Sequence, residues 1–393
     1  MKILICNAGS TSLKFKLYEM PQAVVLATGK VERVGSRDDA IFAYQNCLKG
    51  TSVKQEQACV PDYRVGIQMF IQHLTCGADA ALSDISQVER VGYKATLSKG
   101  YLGVHEITDE VLEGMRQWLP LARLHNTAYL QTMAIMRELL PMAVFVGAFE
   151  TSFHRDIPLA RRLYGLPYEW YEKYGVQRLG YHSASHSYIA DVLNEKRTHY
   201  RAISCHLGGS CSVCAIRDGK SIDTSFGMSL QSGVVHAARV GDMDGDMILF
   251  LKSVGLSEEE IIDGMQNKGG LLGISGISGD MRYIEAAAQQ GNERAQLALE
   301  LFASSVAHYI GAFYVNLGGL DDLVFTGGVG ENSDVLRRMV CQKLAALGVS
   351  LDEERNLTVK NGCISAPGSK ANVWVLPTDE ELGIARSTYA FQK

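Results

Sequence analysis

An α/β fold built from two similar domains is what the sequence predicts, and three observations predict it. The chain has 393 residues, more than one hydrophobic core usually serves. A short apolar strand, a small-residue turn and a returning strand occur twice, at residues 1–19 and again at 201–216. Between and after these hairpins, apolar runs that end in polar residues alternate with helically spaced stretches, the pattern of sheets flanked by helices.

Composition narrows the class. Hydrophobic residues make up 47% and charged residues 21%, as in an ordinary globular protein. A net charge of −5 argues against nucleic acid or an anionic membrane as the main partner. No apolar run is expected to approach the roughly 20 residues of a membrane span, and the few apolar residues before Asn7 are too short for a secretory segment. Nine cysteines, an odd number in no framework spacing, read as free thiols in a reducing compartment, hence the cytoplasm.

The first hairpin is the anchor. Ile3–Cys6 suits a strand buried on both faces, and Leu13, Phe15 and Leu17 alternate with Lys14, Lys16 and Tyr18 in a second strand. The turn between them, Asn7-Ala8-Gly9-Ser10-Thr11-Ser12, gathers backbone N–H groups, the Ser10 and Ser12 hydroxyls and the Lys14 ammonium. Convergent donors with positive charge suit a phosphate. Short β pieces punctuated by Gly29, Gly35 and Gly50 follow, then a helix with Val65, Ile67, Met69, Phe70 and Leu74 on its apolar face, then a strand over Val88–Lys94. A helix is expected from Ala128 to Leu140 and a strand from Met142 to Phe149, with Glu150 at the strand's mouth, where α/β enzymes place catalytic or metal-binding groups.

The second half repeats the theme. The strand ending at His206 meets Leu207-Gly208-Gly209-Ser210, and a strand over Cys211–Ile216 returns. Cys211 and Cys214 form a C-x-x-C pair, but residues three apart on a strand point to opposite faces, so neither zinc nor redox chemistry is expected of them. His182 and His186, four apart, lack the glutamate of a zinc-protease helix. The acidic run Asp242, Asp244 and Asp246 has its glycine misplaced for a calcium loop. Glu285–Leu317 reads as one long amphipathic stretch, a core helix. A strand from Leu320 to Phe325 then enters Thr326-Gly327-Gly328-Val329-Gly330-Glu331-Asn332, with a helix expected to begin near Ser333.

Several of these segments together resemble the acetate kinase family of short-chain carboxylate kinases, in the actin, sugar-kinase and heat-shock ATPase superfamily. The motifs are Asn7-x-Gly9-Ser10-x-Ser12-Leu13-Lys14, His206-Leu207-Gly208, Asp223-Thr224-Ser225, Arg239-x-Gly241-Asp242, Thr326–Asn332 and Pro377-Thr378-x-Glu380-Glu381-Leu382, and the likeness runs from residue 1 to about residue 388. The resemblance implies two duplicated actin-like, ribonuclease-H-like domains with the active site in the cleft between them. Residues 1–150, rejoined by a helix from about residue 381 to 393, would form the acid and phosphate side, and 151–380 the nucleotide-binding and dimerisation side. It implies ATP or ADP, a short-chain carboxylate or its acyl phosphate, Mg²⁺ or Mn²⁺, and a homodimer, with no nucleic acid and no membrane.

Residue by residue, the resemblance makes Arg239, His182 and Glu150 catalytic, the first two neutralising the phosphoryl group in flight. Phosphates and adenosine would meet Asn7, Ser10, Ser12, Lys14, His206, Gly208, Gly209, Asp280, Arg282, Gly327, Gly328, Gly330, Glu331 and Asn332. Asn7 and Glu380 would lie at the metal. The acid would contact Lys94, Thr96, Leu124, Tyr181 and Leu230. The sequence departs from the family at three functional positions: Lys94 stands for an arginine, Glu150 for an aspartate and Gly209 for an asparagine. A lysine keeps the charge but loses the planar two-donor fork, with Arg123 as the residue that would restore it. These departures support an alternative, a non-catalytic nucleotide-binding homologue, and a second alternative is another phosphoryl donor or a non-acetate acid. Thr96 and Tyr181 bring hydroxyls to positions where the family has valine and phenylalanine, so the sequence predicts that a longer or hydroxylated acid outperforms acetate.

Overall fold

A computed structural model describes residues 1–392, except the side chains of Arg123, Leu124 and His125. The chain divides into two compact units, Met1–Ser152 with the stretch from Asp379 onward, and Phe153–Thr378.

The first unit carries an eight-stranded sheet. Its strands are β1 (Lys2–Ala8), β2 (Ser12–Glu19), β3 (Val24–Glu32), β4 (Ser36–Asn46), β5 (Thr51–Val60), β6 (Arg90–Ala95), β7 (Val104–Glu106) and β8 (Val144–Phe149), ordered 5-4-3-2-1-6-8-7. β1 pairs antiparallel with β2 and parallel with β6, and β6 pairs parallel with β8. The helices α1 (Tyr63–Thr75), α2 (Asp109–Gln117) and α3 (Leu119–Leu139) pack with it. The C-terminal helix, Glu380–Ala390, joins this unit: the Arg90 guanidinium donates to the carbonyls of Thr388 at 2.6 Å and Phe391 at 2.8 Å.

Three expectations change here. Residues 23–60 form three long strands rather than short pieces, because Gly29 interrupts nothing: it lies inside β3, where a Cβ would stand 2.3 Å from the Phe70 ring. The helix expected from Ala128 begins at Leu119, with Pro120 in its first turn and a non-helical kink at Ala122 (φ −143°, ψ 41°). β8 starts at Val144, two residues later than read.

The second unit holds α4 (Leu159–Arg162), α5 (Tyr168–Tyr174), α6 (Ser183–Asn194), β9 (Arg201–His206), β10 (Ser212–Arg217) and β11 (Lys220–Thr224). It continues through α7 (Asp246–Ser253), α8 (Glu258–Gln266), α9 (Gly270–Ser275), α10 (Met281–Gln289), α11 (Glu293–Leu317) and β12 (Asp322–Thr326). It closes with α12 (Gly327–Asn332), α13 (Asp334–Lys343), α14 (Glu353–Thr358), β13 (Gly362–Cys363) and β14 (Asn372–Val375). Its sheet runs 11-10-9-12-14-13. The order and sense of β11-β10-β9-β12-β14 repeat those of β3-β2-β1-β6-β8, antiparallel at the hairpin and parallel beyond it. With β7 antiparallel to β8 as β13 is to β14, the repeat seen in the two hairpins extends over six strands.

The stretch read as one helix from Glu285 is two. Gly291 takes a left-handed φ of 85° and Asn292 caps α11 with its side chain. The glycine-rich segment after β12 is itself a short helix, begun at Gly327 (φ 76°), and Ser333 then caps a second one. α11 is long and apolar enough to cross a bilayer by length and hydropathy, contrary to the expectation from sequence. Its Leu299, Phe302, Val306, Ile310 and Phe313 are instead buried in the core of the second unit.

Candidate active site

In the first unit the hairpin turn is held from behind. Gly9 N–H donates to the Ser12 carbonyl at 2.9 Å, and the Tyr63 hydroxyl of α1 lies 2.7 Å from the Gly9 carbonyl and 2.9 Å from that of Ser10. At Gly9 a Cβ would meet Ser12 Oγ at 2.7 Å, so a side chain there would turn that hydroxyl away. Ser10 and Lys14 are exposed and Ser12 half-buried. Asn7, opposite Lys14 in the β1–β2 register, accepts a hydrogen bond at 3.0 Å from the Tyr129 hydroxyl of α3.

Lys94, the next-to-last residue of β6, sends its ammonium to Glu150 Oε1 at 2.9 Å and to Glu380 Oε2 at 2.7 Å. The parallel β6–β8 pairing places Glu150 just past β8, where its N–H donates to the Ala95 carbonyl. Asp379 caps the C-terminal helix and thereby fixes Glu380 in its first turn. Thr96 is buried just after β6. Asn126 donates to the carbonyls of Leu97 and Met115, a structural role. The side chains of Leu124 and Arg123 lie outside the described residues.

The second unit contains a cavity of about 710 Å³. Gly208 and Gly209 of the β9–β10 turn line one side of it, and Gly279, Asp280, Met281 and Arg282 at the start of α10 line another. Gly328, Val329 and Asn332 of α12, with Ser333 and Glu285, complete the wall. Asp280 and Arg282 pair with each other at 2.5 Å. Gly209 has nothing within 4 Å of where a Cβ would sit. Gly327 and Gly330 do not line the cavity; they are buried against Leu207, whose carbonyl would stand 2.8 Å from a Cβ at Gly327. Glu331 faces its own helix, accepting the Gly327 N–H at 2.9 Å.

Glu285 is the cavity residue that motif reading missed. Its signal is helical spacing, four residues beyond Met281 on the same face of α10. Burial raises its carboxyl pKa, and the Ser333 hydroxyl donates to it.

Histidines and Arg239 gather near β9 and β10. His182 stands at the N-terminus of α6 in a left-handed conformation (φ 58°, ψ 31°), with Nδ1 2.8 Å from Ser212 Oγ. Its ring lies 4.2 Å, centroid to centroid, from that of His206, whose Nδ1 meets Ser185 Oγ at 2.8 Å. Arg239 donates to the Leu230 carbonyl at 2.8 Å, and burial lowers its pKa. The Tyr181 hydroxyl is buried and donates to the Met228 carbonyl at 2.5 Å. It is neither unpartnered in a pocket nor turned to solvent, so the argument that this hydroxyl favours a polar acid falls away.

Cys211 and Cys214 belong to clusters on opposite faces of the sheet, and burial pushes both thiols up to about 12. Among the described residues, no group of three or more His, Cys, Asp or Glu side chains is placed to hold a metal ion. Glu150 and Glu380 still fit a magnesium-like cation, which takes one or two carboxylates and completes its shell with water and phosphate oxygens.

The comparisons with known proteins agree along the whole chain. A model of the acetokinase family matches residues 2–386. An acetate kinase from Shouchella clausii (strain KSM-K16) is 39% identical over 394 residues, covering 98% of each chain. One from Bacillus subtilis (strain 168) is 38% identical over 399 residues, covering 100% of both. Porphyromonas gingivalis acetate kinase superimposes with a TM-score of 0.88 at 36% identity, covering 100% of both chains. A propionate kinase from Francisella tularensis does so at 0.90 and 30%, again over 100% of both. The fold is the actin-like α/β fold of these kinases, and the family works with ATP and a divalent cation. Full-length kinship at this identity favours an enzyme over a non-catalytic homologue. The chain belongs to the acetokinase family and is an ATP-dependent phosphotransferase whose acceptor is a carboxyl group.

Proposed function

We propose that the acceptor is acetate and that the chain interconverts ATP and acetate with ADP and acetyl phosphate. The observation that supports the acid assignment is the Tyr181 hydroxyl bonded to Met228, which would leave the ring rather than a donor toward a small apolar group. The relatives named acetate kinase support the same choice, and the propionate kinase neighbour makes propionate the nearest competitor.

The acid is ionised at pH 7 and is itself the nucleophile, so no strong general base is needed. What the protein must supply is positioning and charge neutralisation. An ammonium has three N–H donors, and Lys94 directs two of them to Glu150 and Glu380; the third would meet the substrate carboxylate. The cavity beside Gly208, Asp280 and Asn332 would take the nucleoside, and the turn at Ser10, Ser12 and Lys14 would bind phosphate. Arg239 and His182 would offset charge on the transferring group. Glu150 and Glu380 would hold Mg²⁺ largely through water, and such a cation neutralises charge on the nucleotide phosphates. The exposed Leu249 and Phe250 of α7 give a homodimer an apolar surface, and nine free thiols suit the cytoplasm.

The test is a hydroxylamine trap for acyl phosphate with ATP and Mg²⁺ over acetate, propionate, butyrate, glycolate and lactate. Acetate should lead in kcat/KM by about tenfold, some 1.4 kcal/mol in the barrier. A lead for propionate or for a hydroxy acid would move the assignment to that acid.

A further inference from the structure

Behind His182 lies a buried chain of side chains that the phosphoryl-transfer reading leaves without a role. Ser212 Oγ is 2.8 Å from His182 Nδ1 and 2.8 Å from His186 Nε2, and His186 Nδ1 is 3.0 Å from Ser204 Oγ. Ser204, Ser212 and His186 are fully buried, on β9, β10 and α6. The chain therefore joins the N-terminus of a helix to two paired strands, and none of the three residues lines the nucleotide cavity.

We infer that Ser212, His186 and Ser204 are positioning residues that hold His182 in the tautomer with its proton on Nε2. The burial of the chain's two ends supports one direction. Burial, with His154 and His206 nearby, holds the His186 pKa well below its ordinary value, so that ring is neutral and has one N–H and one lone pair. If Ser204 O–H donates to His186 Nδ1, then His186 Nε2–H donates to Ser212 Oγ. Ser212 O–H in turn donates to His182 Nδ1, and the terminal donor falls on His182, which is only half-buried. Reversing all three bonds would place a proton on His182 Nδ1 and move the terminal donor to the Ser204 hydroxyl, which is fully buried and costly to leave without an acceptor. The forward direction leaves His182 Nε2–H as a donor. The left-handed backbone at His182 (φ 58°) is consistent with this support, because a non-glycine residue held there is strained and persists only where its surroundings over-determine it.

The inference rests on the reading of His182 as a donor to the transferring phosphoryl group, and the experiment separates the two. In wild-type protein labelled with ¹⁵N-histidine, NMR should show His182 protonated on Nε2 and bare on Nδ1 at pH 7.5. A proton on Nδ1 would overturn the inference, and this arm depends on no variant folding. Ser212→Ala should lower kcat by about 10- to 100-fold, the range for partners that orient metal-ligating histidines. Its KM for ATP should change less than threefold, and its His182 ¹⁵N signals should shift toward a tautomer mixture. Unchanged kcat and unchanged signals would refute the relay. His182→Ala tests the underlying reading: near-normal kcat there removes His182 from the reaction, whereas a dead His182→Ala beside a fully active Ser212→Ala removes only the relay.

Discussion

Lys94 Nζ lies 2.7 Å from Glu380 Oε2, across 286 residues of sequence. The same ammonium is 2.9 Å from Glu150, so one cation ties the mouths of two parallel strands to the first turn of the C-terminal helix. All three side chains are largely buried. Lys94→Gln should therefore lower stability by about 1.5–3 kcal/mol, the contribution of a hydrogen bond to a charged group, and should raise the KM for the acid. Denaturant midpoints and acetate titrations check both. A variant as stable as the wild type would mean that the two carboxylates are held apart by other contacts.

Arg239 is expected to act in the transition state rather than in ATP binding. Arg239→Ala should lower kcat on the order of 10³-fold, as for arginines that serve phosphoryl transfer, with little change in the KM for ATP. Steady-state kinetics decide it, and near-normal kcat would remove Arg239 from the reaction.

Gly209 leaves open space in the cavity proposed for the nucleotide, with no atom within 4 Å of an added Cβ. Gly209→Asn should fold normally and add one neutral hydrogen bond to the nucleotide, about 0.5–1.5 kcal/mol. The expected result is a KM for ATP lower by roughly 2- to 10-fold at unchanged kcat. A weaker KM would show that the space is occupied by the nucleotide itself.

Glu285 has its carboxyl pKa raised by burial. A raised acid holds its proton to higher pH in the folded state than in the unfolded chain, so stability falls as pH rises from the unfolded value toward the folded one. Glu285→Gln should consequently gain stability over wild type at pH 7 and show little difference near pH 4. Melting temperatures of the two proteins across that range give the test, and an unchanged difference across pH would refute it.

Thiol chemistry should follow burial. Of the nine cysteines only Cys59 and Cys76 are exposed, so a thiol reagent should modify these two quickly in the native protein. Serine at both Cys211 and Cys214 should leave activity within about threefold, since both buried thiols are held above the range in which they ionise.

Local rules made much of this fold readable. Alternation at Leu13, Phe15 and Leu17 placed β2, strand geometry placed Cys211 and Cys214 on opposite faces, and the two hairpins revealed the repeat. Contacts that cross hundreds of residues were not readable. No pattern in Val88–Lys94 announces Glu380, and nothing near the first turn points to the Tyr63 hydroxyl behind it. The kink at Ala122 is a tertiary choice where helical periodicity continues on both sides. The break at Gly291, in contrast, carries a local signal, a glycine followed by an asparagine cap, that the apolar periodicity around it masks. The serine–histidine chain was invisible because its members come from three elements and carry common residue types.

The C-terminal helix places the end of the chain on its oldest part. Gly92 of β6 has no side chain because Thr388 sits there, 2.4 Å from where a Cβ would be, and the Arg90 guanidinium is closed by the carbonyls of that same helix. During synthesis, the first 152 residues emerge with this strip of their sheet uncovered and Lys94 without Glu380. At 5–20 residues per second the missing helix follows roughly 10–50 s later. The second unit, contiguous in sequence, can close first, so the domain that starts the chain is the one that finishes last. Chains truncated just before residue 379 and released from the ribosome should hold a folded second unit and a protease-sensitive first one.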